Sequence, residues 1–248
     1  MGNNNNEIYK IGDNITLFNE NFGDFMVDVV CDLLGHVDIW LTDALGLPHF
    51  SSKQVVILKG EHPKCIKMES FHKIQLNTKR NYWCQWVYQF AHEYCHHLID
   101  GGLTGKIDGL IWFEETICEV SSMFCLHRMV EYCSSQTNPY LRRYHLPAQD
   151  YLDDLLKREE DDTPLHLYVQ RNLPLLEQSQ YHREIYRYIA QGVFPLFVAC
   201  PPLWKTILHF GNMHEQQSLT LLFEHLKAEA DTTYADALQR LRMLLLGS

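Results

Sequence analysis

Phe90-Ala91-His92-Glu93-Tyr94-Cys95-His96-His97-Leu98 carries two histidines four positions apart, with a glutamate directly after the first. On a helix, residues at that spacing lie about 40° from one another, so both imidazoles can address one cation. Glu93 falls on the flank of the pair, where a carboxylate can take a proton from a water held by that cation. Trp83, Val87, Phe90, Tyr94 and Leu98 gather on the other side of the same turns. The pattern predicts a helix from Tyr82 to Ile99 with one metal-facing and one core-facing side. His97 turns about 100° away from His96 and reads as a supporting or surface group. Cys95 reads as a buried thiol.

Two histidines leave a divalent ion underligated, so a third ligand has to come from elsewhere in the chain. Downstream, Ile111-Trp112-Phe113-Glu114-Glu115-Thr116-Ile117-Cys118-Glu119 opens a second long apolar-periodic stretch, predicted helical over Phe113 to Tyr132. Phe113, Ile117, Val120 and Phe124 form its stripe. Glu115 and Glu119 share the opposite face. Glu114 competes with Glu115 for the ligand role, and the helix face favours Glu115. Asp100 and Asp108 are further oxygen donors with less support.

The two motifs together resemble the gluzincin zinc metallopeptidases, the clan of thermolysin and the aminopeptidases. Eighteen residues separate His96 from Glu115, and Trp112-Phe113-Glu114-Glu115-Thr116-Ile117-Cys118 is similar to the clan's W-x-N-E-x-x-A segment, with Glu114 where Asn is usual. The resemblance spans Ile74 to Met129. It implies Zn2+ as cofactor, held by His92, His96 and Glu115, with Glu93 as general base in peptide-bond hydrolysis. It further implies that Glu119 orients a ligating histidine. The clan's oxyanion-stabilising Tyr or His follows the ligand glutamate by roughly 60–70 residues, an interval that holds Tyr181 and His182. Lys73 to Asn77 is similar to the edge strand on which such enzymes align a substrate backbone. No GxMEN-type segment precedes the histidine motif, so aminopeptidase specificity is not implied.

Other metal chemistries fit less well. Metzincin spacing needs Gly at 99 and His at 102, where this chain has Ile99 and Gly102. Glu69-Ser70-Phe71-His72 supplies a second ExxH of the kind found in di-iron bundles. It lies between Pro63 and a strand at Lys73, where no long helix fits.

The remaining chain sets the frame. Its 248 residues fit one domain with two subdomains, 1–100 and 101–248. Strands are expected at Val55 to Leu58, at Lys73 to Asn77 and within Ile8 to Phe18. One or two helices are expected over Phe22 to Leu45, interrupted at Gly35. Further helices are expected at Gln149 to Lys157, Tyr181 to Ala190, Gln217 to Lys227 and Tyr234 to Leu246. The expected class is therefore α+β, a small mixed sheet with the HExxH helix followed by a mostly helical, gluzincin-like second half. Glu159 to Asp162 reads as a solvated hinge. A net charge of −10 disfavours nucleic acid and anionic membrane as partners, and the resemblance implies a peptide or protein substrate. Gly192 to Trp204 is broken by Pro195, Pro201 and Pro202 and is too short to span a bilayer. Eight scattered cysteines and no secretory pattern at the N-terminus point to reduced thiols and a cytoplasmic address. The functional expectation is a zinc endopeptidase. Its alternatives are an intracellular regulatory peptidase with one dedicated protein substrate and a non-hydrolytic binding scaffold. Oligomeric state is not encoded in any of these patterns.

Overall fold

The computed structural model describes residues 7–50, 53–99, 110–157, 163–178, 182–212 and 218–247. The strands are β1 (Ile8–Ile11), β2 (Ile15–Phe18), β3 (Gln54–Lys59), β4 (Lys64–Lys67) and β5 (Phe71–Leu76), in sheet order β1-β2-β3-β5-β4. β1 and β2 form a hairpin. Gly12 at its turn takes φ +57°, and a Cβ there would sit 2.5 Å from the Phe50 ring, so only glycine fits. β2, β3 and β5 run parallel. Parallel neighbours need a crossover, and α1 (Val27–Leu45) supplies it between β2 and β3. Alternation along the strands sends Ile15, Leu17, Val55, Ile57, Ile74 and Leu76 to one face, where all are fully buried.

Lys73 to Asn77 is not the edge. β5 covers most of that stretch and lies between β3 and β4, because the short antiparallel strand Lys64–Lys67 pairs along its other side. With two lysines in four residues and no clear alternation, β4 carries little sequence signal; cross-strand pairing makes it a strand.

α1 is one helix rather than two. Val30, Leu33, Leu34, Val37 and Leu41 keep a helical period and are wholly buried. Gly35 does not interrupt them: it faces β1 closely enough that an added Cβ would lie 3.3 Å from Ile11 Cγ2. Its missing side chain serves close packing. Gly46, with φ 70°, ends the helix.

By contact density the chain divides into two units, 1–98 with 121–153, and 99–120 with 154–248. The first holds the sheet, α1, α2 (Trp83–Leu98), the latter part of α3 (Ile111–Ser135), α4 (Pro139–Arg143) and most of α5 (His145–Leu156). α3 is thus shared, and Val120 and Ser121 mark where it passes from one unit to the other. The second unit holds the start of α3 with α6 (Leu165–Leu176), α7 (Arg183–Ala199), a 3-10 segment (Pro201–Asn212), α8 (Leu219–Glu229) and α9 (Ala235–Leu246). Phe113 meets Phe210 and Phe223 there, and Phe197 packs against Trp204 with the ring centroids 4.7 Å apart and tilted by 56°. α6 and the 3-10 segment are additions to the sequence reading. Pro174, Pro201 and Pro202 obscured them, while burial of Val169, Leu176, Leu203, Trp204 and Phe210 holds them. α7 likewise runs through Pro195, with Val193, Phe194 and Phe197 buried around it. Among the described residues no single helix is long and apolar enough to cross a membrane; α7 and the 3-10 segment pass that test only together, across a 117° bend. The expected hinge at Glu159 to Asp162 lies outside the described residues.

The eight cysteines remain thiols, five of them buried, including Cys95. Desolvation pushes Cys84 up to about 11 and Cys133 up to about 12, so neither is a thiolate near neutrality.

Behind α2 lies a buried polar network. The Tyr94 hydroxyl donates to Asp38 Oδ1, and the Phe50 amide donates to Asp38 Oδ2 at 3.0 Å. Burial holds the Asp38 carboxyl above the usual value of 3.8, although the hydrogen bonds from Tyr94 and Phe50 pull it back. A carboxyl raised by folding contributes stability that is complete below its unfolded value and is lost as pH climbs through the folded one. Urea unfolding across pH 3 to 7 should therefore show the advantage of wild type over Asp38→Asn shrinking with rising pH. An advantage that grows with pH would overturn this reading of Asp38.

Candidate metal centre

α2 presents its motif as the spacing requires. Glu93, Tyr94, Cys95 and His97 are buried, whereas His92 and His96 are partly open. The rings of His92 and His96 lie 5.2 Å apart, centroid to centroid, at 66°. Such crossed imidazoles can turn one nitrogen each toward a common point.

α3 supplies the third donor. One ligand atom each from His92, His96 and Glu115 all fall within 4.8 Å of one another. Bonds of about 2.0–2.2 Å to a tetrahedral ion place ligand atoms about 3.3–3.5 Å apart, so small side-chain rotations close this set. Two imidazoles and one carboxylate form the donor set of zinc sites that keep a fourth position for water. The donors fit a divalent transition metal. Of the two competing glutamates, Glu115 joins the histidines, while Glu114 is fully buried on another side of α3.

Glu119, one turn beyond Glu115, is also fully buried, and a buried carboxylate requires a counter-charge. Arg187 Nε donates to its Oε1 at 2.8 Å, and Arg183 lies 3.7 Å from its Oε2. Both arginines come from α7, 64 and 68 positions away in sequence, and nothing in local periodicity singles them out among 21 basic residues. His182 stands at the N-terminal cap of α7, directly before Arg183. Tyr181, Asp100 and Asp108 lie outside the described residues.

His97 is a core group, not a surface one. Its Nδ1 lies 2.8 Å from Nδ1 of His72 on β5, with both side chains buried, so one ring donates and the other accepts. Its ring also stacks on Tyr94 at 5.0 Å. The second ExxH thus ends in a strand residue that props α2 from behind. Sequence could show that these histidines exist but not that a strand and a helix bring them together.

No family model, no curated protein and no solved structure matches the chain.

Proposed function

We propose that this chain is a zinc-dependent peptidase of gluzincin type, which hydrolyses peptide bonds in a peptide or protein substrate. One observation carries the reading: the His92, His96 and Glu115 cluster forms on two helices, with the buried Glu93 carboxylate in the same helical turn as the histidines. A scaffold that merely held a metal would need the three ligands and no adjacent general base.

His92, His96 and Glu115 would hold the ion. When bound, zinc supplies Lewis acidity that makes a coordinated water easier to deprotonate and polarises a carbonyl. Glu93 accepts the proton from the attacking water and returns it to the leaving amine. Its burial at 5% exposure keeps bulk water from competing for that proton. Arg187 and Arg183 neutralise Glu119, which keeps the shared face of α3 from accumulating uncompensated negative charge. Backbone recognition by strand addition falls to β4, whose outer side is the sheet edge.

Zinc-loaded protein incubated with a peptide library should release new N-termini, and chelation should stop the release. Zinc uptake without cleavage of any peptide would favour the binding scaffold. Absence of zinc uptake would remove both.

A further inference from the structure

α3 is buried on nearly every side between residues 112 and 126. Trp112, Phe113, Ile117, Cys118, Val120, Met123, Phe124, Cys125 and Leu126 are all buried. Hydrophobic burial is non-directional, so the apolar contacts of a helix buried all round specify its roll less sharply than directional hydrogen bonds do. A metal ligand is far less tolerant. At a side-chain radius of about 6 Å, a 20° roll of α3 shifts the Glu115 carboxylate by about 2 Å, against a metal–ligand tolerance of about 0.2 Å. Something directional has to set the roll and slide of α3 against α2.

Two buried hydroxyls meet that need. Ser121 Oγ donates to the Ala91 carbonyl at 3.0 Å, and Ser122 Oγ donates to the Tyr88 carbonyl at 2.9 Å. Serine and threonine inside helices commonly bond back to their own helix, as Thr116 does to the Trp112 carbonyl. These two instead reach another helix. Their acceptors sit on the turn that leads into the motif: the Tyr88 carbonyl is the helical partner of the His92 amide. The bonds fasten α3 about 9–10 Å along its axis from Glu115, which is six residues from Ser121 and seven from Ser122.

We infer that Ser121 and Ser122 are positioning residues for the third ligand, fixing α3 on α2 so that Glu115 reaches His92 and His96. The inference rests on the metal reading above. A misrolled α3 would lose both interhelical bonds and turn the hydroxyls back to the carbonyls of their own helix, so the bonds favour one orientation. The distinction from plain structural support is that their effect on metal binding must pass through Glu115.

A thermodynamic cycle on the full chain tests this. Zn2+ affinity is measured by competition with a chromophoric chelator for wild type, S121A/S122A, E115A and the triple variant, alongside melting of each metal-free protein. The serine pair should be worth about tenfold in affinity when Glu115 is present and nothing when it is absent, as expected of groups that orient a ligand. Melting should fall equally in both backgrounds. If S121A/S122A does not fold, the single variants S121A and S122A are run through the same cycle. Equal affinity losses in both backgrounds, or none in either, would remove the serine role and leave the metal centre standing. A wild-type chain that takes up no Zn2+ brings down the metal centre and the serine role together.

Discussion

Glu115→Ala lowers Zn2+ affinity by on the order of 100-fold or more, whereas Glu114→Ala leaves affinity within a few-fold. Binding of about 10–16 kcal/mol spread over four ligands in structural zinc sites gives roughly 2.5–4 kcal/mol per ligand, or about two to three decades. Glu115 is one of the three clustered donors and carries the only negative charge among them. Glu114 is wholly buried on the same helix, so its truncation shows in the melting temperature instead. Calorimetric titration with Zn2+ and metal content after dialysis, run on both variants, separate the two outcomes. Loss of metal on replacing Glu114 with retention on replacing Glu115 would reverse the ligand assignment.

Replacing Glu93 by Gln leaves zinc content near that of wild type and lowers peptide hydrolysis by about 10²- to 10⁴-fold. Gln has nearly the same volume and keeps a hydrogen-bonding carbonyl, so the packing around this buried position survives. What it lacks is the capacity to accept a proton from water. The informative pairing is therefore metal content against turnover on the same preparation. Full activity in the variant would end the general-base assignment. Metal loss together with activity loss would recast Glu93 as a structural support of the His92 turn.

Much of the architecture was legible because short-range periodicity carries it. The α2 stripe, the long helix after Ile111, the strand at Val55 and the terminal helix from Tyr234 follow from apolar spacing that local geometry enforces. Failures came where the deciding partner is remote in sequence. Gly35 leaves one helix or two open until Ile11 is found packed against it. Lys73 to Asn77 reads as an edge until Lys64–Lys67 pairs with it. α7 reads as stopping before Pro195 until Phe197 and Trp204 are seen to hold it.

The candidate site divides the same way. That His92 and His96 share one helix face with Glu93 on its flank, and that Glu115 and Glu119 share another, is fixed by the 3.6-residue period and needs no tertiary knowledge. Helix face and spacing already favoured Glu115 over Glu114, whereas pairing Glu119 with Arg187 and setting His97 on His72 required the folded chain. A helix determines the direction of its side chains from its own sequence. The distance from one helix to the next depends on how they dock, which the buried bonds from Ser121 and Ser122 fix and local periodicity does not encode.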